Sequence, residues 1–194
     1  MMNQFTKISQ SHINQFTELI GKENVFFKPE QLKEFGHDET EDLVFPPEVA
    51  LTPRNTEQVS QIMKYCFAEN LPVTPMGSQT GLSGGALSVH GGVGLSMKKM
   101  NAIVELDEKN QQIIVEPGLI TEELQNAAIE KGLFYAPDPS SKGSCSIGGN
   151  LAENAGGPRA VKYGVTKDWV LNLEVVLPNG EIIWTGSNTL KNST

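Results

Sequence analysis

Two clusters of glycine constrain this chain more than any other feature. Gly77, Gly81, Gly84, Gly85, Gly91, Gly92 and Gly94 crowd one stretch, and Gly143, Gly148, Gly149, Gly156, Gly157 and Gly164 a second, leaving few of the 19 glycines elsewhere. Glycine loses more backbone freedom on ordering than any other residue, so two ordered clusters need a reason. The reason is backbone held at positive φ, or backbone that must approach a ligand closely with no Cβ between them. Two loops of this kind can wall a long ligand from two sides.

The 194 residues suffice for one domain with a core, or for two small lobes. With 38% hydrophobic and 20% charged residues, the chain reads as soluble and globular. No apolar run approaches the ~20 residues of a membrane helix. The opening residues form neither a secretory signal nor an Arg-rich presequence. Cys66 and Cys145 lack metal or redox-pair spacing, which suits a reducing cytosol, and Cys66 falls on the apolar face of a predicted helix. A formal net charge of −8 argues against a nucleic-acid partner. It leaves room for a phosphate-bearing cofactor. Residues 75–94 contain neither Lys nor Arg, so a phosphate there would be held by main-chain N–H groups.

Residues 1–45 read as a helical preface. A helix over 11–20 is expected, capped by Ser11, with Ile13, Phe16, Leu19 and Ile20 on one face and Gly21 as its stop. A short helix follows Pro29 and carries Leu32 and Phe35, and the acidic run at 37–42 reads as a solvated turn. From 46 to 100 the pattern is α/β: a strand at 49–52, a helix over 57–70 capped by Asn55 or Thr56, and a strand at 71–75 that runs into the first glycine loop. The helix should pack Val59, Ile62, Met63, Cys66 and Phe67. A loop at a strand's carboxyl end is where open α/β sheets bind ligands. A further strand lies at 93–97. From 101 to 194 the sequence predicts a hairpin from 103–106 and 112–116, then a helix capped by Thr121 with Leu124, Ala127, Ala128 and Ile129 inward and Gly132 as its stop. An irregular tract over 135–164 comes next, and a second hairpin, 170–177 with 181–184, turns at Asn179-Gly180. Each lobe gives one glycine loop to a shared cleft.

Known phosphate motifs do not match. There is no Gly-Lys of a P-loop, and the dinucleotide fingerprint fails because Gly92-Val93-Gly94-Leu95-Ser96 ends in Met97. Gly81-Leu82-Ser83-Gly84-Gly85 fits a nucleophile elbow by letter and keeps an esterase as a rival, although that motif needs a helix after the serine. His12, His37 and His90 read as surface or turn residues, and no cluster has metal spacing. A cradle without a catalytic engine implies that the chemistry belongs to a bound cofactor.

The segments Pro75-x-Gly77-x-x-Thr80-Gly81-Leu82-x-Gly84-Gly85, Glu116-Pro117-Gly118, Pro137-Asp138-Pro139-Ser140-Ser141, Cys145-Ser146-Ile147-Gly148-Gly149-Asn150 with Asn154-Ala155-Gly156-Gly157, and Lys162-Tyr163-Gly164 occur in that order. Together they resemble the PCMH-type FAD-binding domain of the vanillyl-alcohol oxidase type, in the branch of D-lactate, glycolate and D-2-hydroxyglutarate dehydrogenases. The resemblance covers roughly residues 46–190.

It implies an α+β fold of two α/β subdomains sharing a cofactor cleft. It also implies FAD, bound non-covalently, because Gln79 and Thr80 stand where covalent relatives carry a histidine. Pro75, Gly77, Ser78, Gln79, Thr80, Gly81 and Leu82 would face the pyrophosphate. Pro117, Gly118, Pro137, Asp138 and Ser141 would line the adenosine and ribityl side. Ile147, Gly148, Gly149, Asn150, Ala152, Ala155, Gly156 and Gly157 would lie along the ribityl chain, and Ile182 near the adenine. The implied activity is oxidation of a D-2-hydroxy acid by hydride transfer to flavin, passed to an electron acceptor of unassigned identity. A non-catalytic flavin-binding module is the alternative. Relatives are more than twice as long, so the chain reads as an N-terminal part, inactive on its own, with the catalytic groups outside it. The resemblance leaves room for a homodimer and for a cytoplasmic protein stationed peripherally at the inner membrane.

Overall fold

The computed structural model describes residues 5–189; the first four residues and the polar end at 190–194, both read in the sequence, lie outside the described residues. Four strands form the main sheet: β1 (Val25–Phe26), β2 (Val49–Leu51), β3 (Val73–Met76) and β4 (Val93–Ser96), in the order β1-β2-β4-β3. β2 and β3 both run parallel to β4, and β1 pairs antiparallel with β2. β2 and β4 are buried along their whole length, as central parallel strands covered on both faces must be.

Helices α1 (Gln10–Ile20) and α3 (Thr56–Ala68) pack on this sheet, and the expected short helix α2 (Pro29–Leu32) sets Leu32 in a second cluster with Phe35, Ala50 and Met76. Phe16, Ile20, Val49, Leu51, Ile62, Cys66, Val93 and Leu95 make the core. The N-terminal stretch thus supplies an edge strand and a core helix to the same sheet. α1 starts before the expected Ser11, with Ser9 as N-cap, because the Ser9 N–H donates to Nδ1 of His12 at 3.0 Å. His12 is consequently buried, not a surface residue; its Nε2 lies 3.8 Å from a Glu69 carboxylate oxygen.

Asn55 is the cap of α3, its side-chain oxygen accepting from the Gln58 N–H at 2.9 Å. The helix stops short of the expected residue 70. Asn70 takes φ 54, and the Leu71 N–H returns to the Cys66 carbonyl while the Asn70 N–H returns to that of Phe67. Phe67, expected inward, is 66% exposed, since it lies one step of about 100° beyond the Ile62–Cys66 stripe.

The remainder contains two hairpins, β5 (Ile103–Asp107) with β6 (Gln112–Val115) and β7 (Glu174–Val176) with β8 (Ile182–Trp184). Gly180 makes the second turn at φ 80, as Asn-Gly predicts. Between the hairpins lies α4 (Thr121–Glu130), closed by Gly132 at φ 69. Thr121 is its first residue, not its cap, because its hydroxyl is drawn inward to the Cys145 carbonyl and the Asn150 amide. Ile129 faces solvent at 63% exposure, opposite Leu124 and Ala128.

The tract at 135–164 is not irregular throughout. It holds α5 (Ile147–Glu153), ended by left-handed Asn154, and α6 (Ala160–Tyr163). Gly148 and Gly149 sit inside α5, and a Cβ on Gly148 would come within 2.9 Å of Pro117. Here glycine serves close packing rather than a bend.

Candidate functional site

β3 ends in the first glycine loop, residues 77–92, which leads into β4 without a helix. The second loop docks onto 117–119: the Gly148 N–H donates to the Pro117 carbonyl at 2.7 Å, and the Ile147 N–H to that of Leu119 at 2.9 Å. Gly118 in turn fits against the main chain after β4. Its N–H donates to the Met100 carbonyl at 2.7 Å, and a Cβ there would fall 2.2 Å from the Met97 oxygen.

These contacts leave a pocket of about 310 Å³ walled by Gly77, Ser78 and Gln79 on one side and by Gly118, Ile120 and Ser146 on the other. The two glycine stretches therefore do meet across one cleft. Among the described residues, the N–H groups of Ser78, Gln79, Thr80 and Gly81 find no acceptor in the protein. The Ser146 hydroxyl is buried, lines the same pocket and also lacks a partner. Of the four loop residues, Ser78 and Gln79 line the pocket. Buried polar groups are normally satisfied, so the orphaned Ser146 hydroxyl, beside unpaired loop N–H groups, fits a group rich in acceptor oxygens, such as a pyrophosphate with its ribityl chain.

Of the other expected residues, Gly148 and Gly149 lie beside this cleft, the Gly149 nitrogen 3.4 Å from where a Gly77 Cβ would stand. Pro75 is the exposed third residue of β3. Ile147 and Asn150 turn into the interior: Ile147 packs with Leu119 and Leu124, and the Asn150 amide donates to the Thr121 hydroxyl at 2.6 Å. Asn150 therefore shapes the second loop from behind.

Pro137, Asp138, Ser141, Ala155, Gly156 and Gly157 form a separate neighbourhood. Gln125 donates to the Pro137 carbonyl at 2.7 Å, the Cys145 N–H donates to that of Ser141 at 2.7 Å, and Asp138 pairs with Arg159 at 3.2 Å. Gly157, at φ 149, sits where a Cβ would strike the Asp138 carbonyl, while Gly156 is half-buried against Val165. The Ala155 carbonyl takes both the N–H and the hydroxyl of Thr166. Ala152 is exposed, as are Leu82 and Ile182, the last 41% so in β8. None of these nine lines the pocket.

Sequence reasoning overlooked Ser146, although it stands directly before Ile147-Gly148-Gly149. It also overlooked Lys98, which reaches the pocket wall from just beyond β4 and pairs with Glu34 at 2.8 Å, its Nζ 4.7 Å from the Phe35 ring centre. Position one turn past a strand end is the signal that would have marked it. The elbow reading of Ser83 fails. No helix follows it, and its hydroxyl donates to Glu153 at 2.7 Å on an exposed surface with no histidine in contact. Both cysteines are free and buried.

The family description "FAD binding domain" matches residues 47–186. The chain is 46% identical over 157 residues to the glycolate oxidase subunit GlcD of Bacillus subtilis, covering 81% of this chain and 33% of that protein. It is 41% identical to the D-lactate dehydrogenase of Anaerostipes hadrus, covering 98% and 40% respectively. It is 34% identical to the D-2-hydroxyglutarate dehydrogenase of Stutzerimonas stutzeri, covering 94% and 39%. The chain thus spans only about two fifths or less of the curated relatives it matches. Among solved structures, alkyldihydroxyacetonephosphate synthase superimposes with a TM-score of 0.83 at 18% identity, over 95% of this chain and 39% of that one. p-Cresol methylhydroxylase gives 0.76 at 27% identity, over 92% and 36%.

Proposed function

This chain belongs to the FAD binding domain family, with two α/β parts around a cofactor cleft, and we propose that it holds FAD non-covalently as the N-terminal part of a longer dehydrogenase of D-2-hydroxy acids. The observation that carries the reading is the orphaned Ser146 hydroxyl in a cleft that Ser78 and Gln79, with unpaired N–H groups, also line. The N–H groups of Ser78 to Gly81 and the orphaned Ser146 hydroxyl would take the pyrophosphate and ribityl oxygens without help from a lysine in the loop. When bound, FAD supplies hydride acceptance from the substrate's α-carbon.

The work of this chain's own residues is binding and exclusion. Gly118 lets main chain approach main chain where a side chain would intrude, and Gly77 leaves room for the Ser146 hydroxyl. Asn150 and Thr121 hold the second loop against α4. No histidine lies between residues 75 and 85 to form a bond to the flavin. The relatives named for D-lactate, glycolate and D-2-hydroxyglutarate support a substrate of that class, without choosing among the three. No helix among the described residues is long and apolar enough to cross a membrane.

The test is spectroscopic. The full-length protein should purify yellow and release its flavin intact on acid precipitation. D-lactate, glycolate or D-2-hydroxyglutarate should bleach it under anaerobic conditions. A colourless protein that takes up no added FAD would end the reading. One that binds FAD but is bleached by none of the three would reduce it to a flavin-binding module.

A further inference from the structure

The acidic run at 37–42, read in the sequence as a solvated turn, is instead laid against the first glycine loop. The Gln79 side-chain amide donates to the His37 carbonyl at 2.5 Å, the Glu39 N–H donates to the Gly81 carbonyl at 3.0 Å, and the Gly84 N–H donates to the Thr40 hydroxyl at 3.0 Å. The segment is itself braced. Thr40 N–H donates to the carboxylate of Asp38, which is buried, and Phe45 N–H donates to the Gly36 carbonyl at 2.7 Å. The Phe45 carbonyl then accepts from the Ser88 N–H at 3.1 Å, so the contact extends to the far end of the loop.

These bonds have one sense. They engage the Gln79 side chain, the Gly81 carbonyl and the Gly84 N–H, and leave the N–H groups of residues 78–81 unpaired, with Ser78 and Gln79 on the pocket wall. Gln79 stands at φ 58, a left-handed conformation that a non-glycine residue keeps only where its surroundings enforce it. The strap supplies that enforcement.

We infer that residues 37–40 are a positioning strap for the cofactor loop, with Thr40 and Gln79 as the residues through which it sets the loop's donors. The inference rests on the flavin-site reading above. Thr40 touches no cofactor in this scheme; it acts through Gly84.

The test uses the full-length protein stripped of flavin and titrated with FAD and, separately, with ADP, which shares the diphosphate but lacks the flavin. Thr40→Val should weaken both nucleotides by about tenfold, the effect of one net hydrogen bond. Thr40→Ser, which keeps the hydroxyl, should restore wild-type affinity. If Thr40→Val does not fold, Gln79→Met, which keeps side-chain length but removes the donor to His37, carries the same expectation. A wild type that binds FAD while Thr40→Val binds equally well overturns the strap alone, as does a Thr40→Ser variant as weak as Thr40→Val. A wild type that binds no FAD overturns the flavin reading and the strap together.

Discussion

Gly77 and Ser146 meet across the seam between the two glycine loops, where a Cβ on Gly77 would stand 2.6 Å from the Ser146 hydroxyl oxygen. That oxygen is the end of a short side chain and can turn away. At Gly118 the obstacles are main-chain oxygens of Met97 and Met100, at 2.2 and 2.7 Å, which cannot.

Gly77→Ala should therefore cost about 1 kcal/mol of stability and Gly118→Ala about 2–3 kcal/mol, by the usual scale of overpacking. Denaturant midpoints of the two variants check the order. Equal losses would show that the Met97–Gly118 approach is looser than described.

Ser146→Ala separates a binding role from a structural one. The hydroxyl has no partner to lose, so the flavin-free protein should be as stable as wild type or slightly more so. FAD affinity should nevertheless fall about five- to tenfold, for loss of one contact. Titration of the stripped protein followed by flavin fluorescence reads the second quantity, and thermal melting the first.

Asn150→Ala should show the reverse pattern. Asn150 is 3% exposed and its amide donates to Thr121, whose hydroxyl also contacts Cys145. Leaving that network half-made should cost about 1–3 kcal/mol of stability in the flavin-free protein. A variant with normal stability and weak FAD binding would instead place Asn150 at the cofactor.

Burial pushes the Cys66 thiol up to about 12 from its ordinary 9.0. The unfolded chain therefore gives up this proton first as pH rises. Stability from this source is complete below about pH 9 and declines between 9 and 12. Tyr135, also raised to about 12 by burial, adds to the decline above its ordinary 10.0. Melting temperatures from pH 8 to 11 should fall, and less steeply in Cys66→Ala. At pH 8 the native thiol should resist iodoacetamide until denaturant is added.

What the sequence made legible was mostly local. Asn55 announces α3, Gly132 and Gly180 end α4 and turn the second hairpin, and the glycine stretches mark where main chain must come close. Each is decided by a residue's own conformational limits or by a cap three residues away. The misreadings were decided elsewhere in the fold. His12 is buried because Ser9 and Glu69 bracket it, and Thr121 is turned inward by Asn150, 29 positions on. α5 carries glycine at 148 because Pro117 leaves no room there for a side chain, and nothing in 37–42 announces that Gly81 and Gly84 complete its hydrogen bonds. Lys98 reaches the pocket only through the β3–β4 register.

The strand order β1-β2-β4-β3 also bears on how copies of the chain can meet. Carbonyls of Pro72 and Met76 point to β4, so Pro75, one step out of phase, faces the open side of β3 and has no N–H to offer there. At the opposite margin, β1 is only two residues long. Both flanks are therefore poor templates for another strand, which disfavours self-association by ribbon-by-ribbon growth of this sheet.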